Sequence, residues 1–224
     1  MTKEERIELA NLLFPNLEHD RSYYEEKYPE RNLSENAMVT RYAPSPTGSV
    51  HLGNLLSAFA DMVYARQSGG SFFLRIEDTD QKRTVENGVE GIFNDLDSFE
   101  IIPDESTKVG GSYGPYIQSE RTEIYQTYVK DLIIQGLAYP CFMTEEEIAT
   151  IREEQEINKT KLGIYGVYAQ DRDLSLDEVK SKIANGEEYV IRLKSPGDSK
   201  KEVEIIDMVK GKIKFPENDM DIVY

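Results

Sequence analysis

The chain of 224 residues carries 39% hydrophobic and 30% charged residues, an ordinary balance for a soluble globular protein with one large or two modest domains. Its net charge of −16 argues against a protein that coats nucleic acid indiscriminately; local basic patches remain at Gln81-Lys82-Arg83 and at residues 194–201, each of which alone reads as solvated surface. No apolar run is long enough to span a bilayer, and the start Met1-Thr2-Lys3-Glu4-Glu5-Arg6 is too polar for a secretory signal, so a cytoplasmic protein without a membrane partner is expected.

Residues 1–36 read as an N-terminal helical extension. Ile7, Ala10, Leu13 and Phe14 recur at helical spacing until Pro15 stops them, and Tyr23, Tyr24 and Tyr28 mark a second short helix ending near Pro29. Residues 38–43 read as a strand, closed by Pro44 and Pro46. The loop at 44–49 is rigid where proline fixes φ and adaptable at Gly48. Residues 51–67 turn helical, with Leu52, Leu55, Leu56, Phe59, Met62 and Val63 on one apolar face and Ser68-Gly69-Gly70 as the C-cap. Residues 71–76 make a second, largely apolar strand. Strand, helix and strand predict a parallel, right-handed βαβ unit that opens a doubly wound α/β sheet. Ligands of such sheets bind beyond the carboxyl ends of the strands.

The remainder changes character. Residues 84–99 and 120–135 read as helices around a loop rich in Gly, Pro and Tyr at 103–118. Residues 139–143 read as a short strand holding Cys141. As the sole cysteine it excludes an internal disulfide and a cysteine-built zinc site, and it reads as a buried small hydrophobe. His19 and His51 lie too far apart in the chain to suggest a metal pair. Thr144 with Glu147 and Ser175 with Glu178 form capping boxes that open two helices. Residues 188–194, 203–209 and 212–215 read as three strands with little helix between them, which suggests an α+β insertion with an antiparallel sheet. Residues 221–224 read as the start of a further strand.

The strongest chemical signal is the run from Arg41 to Asn54. It puts a phosphate-friendly constellation at a helix N-terminus, where free N–H groups and the positive end of the dipole favour anions. His51 can donate to a phosphate and meet charge building on phosphorus, or it can be a plain N-terminal cap. Gly53, in the first turn, costs helix stability, which close approach of a flat ligand such as adenine would explain. Glu77-Asp78-Thr79-Asp80 follows the second strand directly and shares the carboxyl edge with the proline loop. There Glu77 can accept from an ammonium group and Arg41 can pair bidentately with a carboxylate, so together they suit an amino acid with an acidic side chain. Taken singly, the acids read as a surface turn and Arg41 as a surface ion pair.

Arg41 to Asn54 resembles the R-x-A-P-S-P-T-G-x-x-H-x-G-x signature of the glutamyl-tRNA synthetases, with His51-Leu52-Gly53-Asn54 in the place of the class I HIGH motif. Leu74 to Asp80, Gly114 to Arg121 (with Ile117 for a more usual arginine), Ala138 to Phe142 and Val190 to Lys194 resemble further signatures of the family in the same order. The resemblance implies an α/β fold: the first half of a class I Rossmann-like nucleotide-binding domain at 37–101, an inserted α+β acceptor-stem-binding domain at 102–216, and the start of a return to the catalytic domain at 217–224. It implies ATP-dependent activation of L-glutamate to glutamyl-adenylate and transfer to the 3′ end of tRNA(Glu), with magnesium accompanying ATP. By position, Arg41 is implied to bind the glutamate side-chain carboxylate, and Ala43, Ser45 and Glu77 its backbone groups. Thr47, His51, Gly53 and Asn54 are implied to line the ATP site, with His51 catalytic through the transition-state phosphate.

Several family features are missing. The KMSKS motif, the later glutamate-pocket residues and the helical anticodon-binding region do not occur, so the chain is expected to be an incomplete N-terminal part, inactive alone. The small zinc site of many relatives cannot be built, with Met143 where a further cysteine would stand. Alternatives are a stand-alone, non-catalytic half-synthetase module that binds tRNA or a protein partner, and a glutamyl-queuosine tRNA(Asp) synthetase-like enzyme.

Overall fold

A computed structural model describes residues 1–48, 50–80 and 82–224; Ser49 of the proline loop and Gln81 of the first basic stretch lie outside the described residues. In chain order the elements are α1 (Lys3–Leu13), α2 (Arg21–Lys27), β1 (Val39–Tyr42), α3 (Leu52–Ser68), β2 (Ser71–Leu74), α4 (Gly88–Ser98), α5 (Thr122–Gln135), β3 (Ala138–Cys141), α6 (Glu145–Ile157), α7 (Leu176–Ala184), β4 (Val190–Leu193), β5 (Glu202–Asp207), β6 (Gly211–Pro216) and β7 (Ile222–Val223). They form two compact units, His19–Tyr125 and Met1–Glu18 with Gln126–Tyr224. Packing therefore divides the chain at 18 and 125, not at the 36 and 101 expected from the resemblance. Among the described residues no helix is long and apolar enough to cross a membrane.

The unit His19–Tyr125 contains the expected βαβ motif. β1 and β2 are parallel, paired from Val39 with Ser71 to Tyr42 with Leu74, and α3 connects them. Gly69, in the left-handed region at φ 71°, ends α3 by donating to the carbonyls of Ala65 and Arg66. Gly70 is required by contact: a Cβ there would collide with the Met38 carbonyl. Phe72, Leu74 and Ile76 are fully buried against Leu55, Ala58, Met62 and Ala65 of α3 and Ile92 and Leu96 of α4.

Three details differ from expectation. Leu55 and Met62 are buried as expected, but Leu52, Leu56 and Phe59 are 75%, 66% and 48% exposed, so the buried stripe of α3 is narrower and turned from the one read. The small residues Ala58 and Ala65 let the helix approach the sheet on the neighbouring stripe. α4 starts at Gly88 rather than Thr84, because Val85 N donates to Pro46 O at 3.0 Å and draws that stretch onto the proline loop. Regular β2 ends at Leu74, although Arg75 N still donates to Tyr42 O at 3.1 Å.

In the second unit α1 buries Leu9, Ala10 and Leu13 with Val129 and Ile133 of α5, Leu176 and Val179 of α7, and Ala138 and Phe142. Ile7, expected on this face, is 39% exposed, and Leu9 takes its place. The capping boxes of Thr144 with Glu147 and of Ser175 with Glu178 form as read, and Thr2 with Glu5 adds a third. Cys141 is buried and free in β3. The three clustered strands do not make one sheet. β4 pairs antiparallel with β3 and with β7, while β5 and β6 form a separate antiparallel hairpin. β7 joins β4 because Asp221, just before it, is buried and accepts from Tyr139 Oη at 2.9 Å and Ser195 N at 2.7 Å.

Candidate functional site

The proline loop is fixed by its neighbours on both sides. Glu77 N donates to Pro44 O at 2.9 Å, tying the loop to the end of β2. Val50 N lies 3.4 Å from the Asp95 carboxylate of α4. Pro44 and Pro46 are buried, while Ser45, Thr47 and Gly48 are exposed. The loop thus turns its proline rings inward and its polar groups outward.

Behind the loop lies a cavity of about 470 Å³ lined by Ala43, Ser45, Thr47, His51, Asn54 and Ser57, among others. It opens at the first turn of α3, a helix of 17 residues, where exposed N–H groups and the helix dipole favour an anion. His51 occupies the N-cap position, but its side chain makes no capping hydrogen bond and is exposed. Capping therefore does not account for the imidazole, which is available to a ligand. Gly53 is exposed on the same turn, and a Cβ built there meets nothing within 4 Å. Nothing among the described residues demands glycine at that position. Tyr42 also lines the cavity, and its buried hydroxyl has no partner among the described residues; burial raises its pKa above the usual phenol value, with help from Asp95.

Arg41 and Glu77 meet beside the cavity rather than in its lining. Arg41 Nη1 donates to Glu77 Oε1 at 3.1 Å, and Arg75 Nη2 lies 3.4 Å from the same oxygen. Two guanidinium groups thus face one carboxylate. Arg75 escaped the sequence reading, although its alternation with Glu77 along an extended segment puts both on one face. Ser57 was also missed, and its spacing of three from Asn54 on α3 was the available signal.

The other acids do structural work. The Asp78 carboxylate accepts from Ser119 N at 2.9 Å and from Ser119 Oγ at 2.6 Å. Asp80 pairs with Arg83, whose hydrogen bond lowers the Asp80 pKa. That pair uses one cation of the first basic stretch, and Lys194 of the second lies 3.6 Å from Asp173.

Comparison with known proteins agrees with this geometry. The family described as "tRNA synthetases class I (E and Q), catalytic domain" matches residues 37–223. The glutamate–tRNA ligase of Clostridium beijerinckii is 52% identical over 220 residues, covering 96% of this chain and 40% of that protein. The glutamate–tRNA ligase of Bacillus subtilis is 44% identical over 180 residues. Among solved structures, a glutamate–tRNA ligase from Elizabethkingia meningosepticum in complex with its amino acid gives a TM-score of 0.71 at 38% identity, covering 84% of this chain and 38% of that one. The chain spans about 40% of the length of the curated relatives that it matches first.

Proposed function

This chain belongs to the class I tRNA synthetase family for glutamate and glutamine (E and Q), within its catalytic domain, and from that membership we propose that it supplies the substrate-binding half of a glutamate–tRNA ligase. In the proposed reaction the α-carboxylate of glutamate attacks the α-phosphate of ATP, giving glutamyl-adenylate and pyrophosphate. The glutamyl group then passes to the 3′-terminal ribose of tRNA(Glu). No covalent enzyme intermediate is needed, so the chain contributes position and electrostatics.

In this reading Arg41 binds the side-chain carboxylate of glutamate, a role supported by the two guanidinium groups, of Arg41 and Arg75, that face the single Glu77 carboxylate. Ala43, Ser45 and Glu77 hold the amino and carboxylate groups. Thr47, His51, Gly53 and Asn54 receive ATP, with adenine against the open face at Gly53. His51 donates to the α-phosphate as charge builds on it. Magnesium accompanying ATP supplies counter-charge to the phosphates. The insertion at 102–216 receives the tRNA acceptor stem, and the cytoplasm is where such an activity belongs.

The observation that carries the proposal is the cavity at the first turn of α3, with an imidazole not used for capping beside it. The test is ATP–pyrophosphate exchange by the complete natural protein containing this chain, with each amino acid in turn, with and without tRNA. Exchange that depends on glutamate is expected. Exchange driven by another amino acid, or by none, overturns the reading.

A further inference from the structure

The free edge of β2 is covered by a segment that never becomes a regular strand. Asp104 N donates to Phe72 O at 2.8 Å, Leu74 N to Glu105 O at 2.9 Å, Ile76 N to Tyr116 O at 2.9 Å and Gln118 N to Ile76 O at 2.9 Å. Ser119 then bonds the Asp78 carboxylate. This segment therefore grips the residues on both sides of Glu77. A loop rich in glycine has high conformational entropy, so something must hold it in that path.

The N-terminal extension supplies the hold. Arg31 donates through both terminal guanidinium nitrogens to Glu105, Nη1 to Oε1 and Nη2 to Oε2, the latter at 2.9 Å. The Tyr116 hydroxyl donates to the same carboxylate. The Arg31 guanidinium lies 3.8 Å from the centre of the Tyr113 ring. The Tyr28 hydroxyl donates to Gly114 O at 2.5 Å, and the Tyr113 hydroxyl to Pro29 O at 2.8 Å. Gly111 adopts φ +143°, and a Cβ there would clash with the Tyr116 hydroxyl and lie 2.8 Å from Glu105 Cγ. The side chains of Arg31 and Glu105 are only 18% and 13% exposed, so the pair is poorly screened by solvent. Bidentate geometry adds direction to its strength.

We propose that Arg31 is a positioning residue: through Glu105, Tyr116 and the backbone of Ile76 it sets where Glu77 stands. Arg31 precedes the family match, which begins at residue 37, so the extension takes part in shaping the substrate site. The inference rests on the reading of Glu77 as a glutamate-binding group, and its test separates the two.

In the complete natural protein, Arg31→Ala and Arg31→Lys are compared by amide hydrogen exchange and by kinetics. Arg31→Ala is expected to speed exchange at Leu74 and Ile76 about ten-fold while the amides of α3 stay as slow as before, since a lost charged hydrogen bond is worth about that factor. The glutamate KM should rise by a similar factor with the ATP KM within about two-fold, and Arg31→Lys should fall between. Unchanged exchange at Leu74 and Ile76, equal acceleration in α3, or a parallel rise of both KM values overturns the proposal. If the wild type does not use glutamate, the reading of Glu77 fails and the exchange pattern alone decides the link from Arg31 to Ile76. If Arg31→Ala does not fold, Arg31→Lys, which keeps the charge but loses the two-pronged bond to Glu105, gives the same local test.

Discussion

Arg41 and Glu77 are paired at 3.1 Å across the carboxyl ends of two parallel strands, so each of the two residues proposed to hold glutamate is occupied by the other. A glutamate molecule carries both an ammonium and a carboxylate, and it could replace each partner with an equivalent charge. The exchange costs little, because the side chains are 41% and 29% exposed and such pairs are weak in water. Glu77→Gln is therefore expected to raise the glutamate KM about ten-fold while moving the melting temperature by less than about 2 °C. A large fall in melting temperature with unchanged glutamate kinetics would make the pair structural instead.

His51 tests the other half of the site. Its imidazole forms no capping bond, so removing it leaves the start of α3 intact. His51→Ala is expected to slow adenylate formation by about 10²- to 10³-fold, the usual effect of losing one donor to a developing anion. Glutamate binding should change by less than about two-fold. Single-turnover kinetics separates the terms, and equal loss of rate and binding would remove His51 from the transition state.

Gly53 offers a substitution whose two effects have opposite signs. A methyl group there meets nothing among the described residues, and alanine is the better helix former, so Gly53→Ala should leave folding unharmed or stabilise it by up to about 1 kcal/mol. If adenine approaches that face, the same methyl group raises the ATP KM while the glutamate KM holds. Thermal melting and the two KM values are the measurements; an unaltered ATP KM would move the nucleotide away from α3.

The βαβ unit was legible because its signals are local: a proline stop after β1, the glycine cap after α3, and an apolar run for β2. The orientation of α3 was legible only in part, through Leu55 and Met62. Its buried stripe runs through Ala58 and Ala65, and small residues carry little hydrophobic weight even where close approach makes them decisive. The motif placed Ser45, Thr47, His51 and Asn54 together at one cavity. The Arg41–Glu77 pair depends on strand register, which motif spacing does not carry, whereas Arg75 was readable from its alternation with Glu77. The irregular segment against β2 was invisible for a further reason: alternate residues of 104–118 follow no period, and its path is set by Arg31 and Tyr28 from distant sequence.

Glu105 carries a pH dependence of known sign. The hydrogen bond from Arg31, then that from Tyr116, holds its pKa below the ordinary 4.5. A carboxyl with a lowered folded pKa contributes stability above its unfolded value and loses that contribution as pH falls through the folded one. Glu105→Gln should therefore be less stable than wild type at neutral pH, and the gap should close progressively as pH falls below 4.5. Urea unfolding at the two conditions measures it, and a gap that does not change with pH would assign the loss to shape rather than charge.

Asp221 makes the sharpest stability prediction in the second unit. Its carboxylate is buried and collects the Tyr139 hydroxyl, Ser195 N and, at 3.4 Å, Arg172 Nε, while its own backbone oxygen accepts from Arg192. Burial, then the Asp221 carboxylate, keeps the Tyr139 phenol far above its ordinary pKa, so the tyrosine remains a donor at any working pH. Asp221→Ala would leave a buried hydroxyl, a backbone N–H and part of a guanidinium without their acceptor. The expected cost is about 3–5 kcal/mol, the range for removing one partner of a buried charged network. Asp221→Asn keeps the shape and one acceptor oxygen, and should cost less. The signature is local: exchange at Ser195 and at the amides of β4 and β7 should accelerate before those of β1 and β2. Because the chain has no tryptophan, tyrosine absorbance is the natural optical probe, and Tyr139 itself reports the event. An unchanged unfolding midpoint in Asp221→Ala would mean that β7 holds to β4 through its backbone alone.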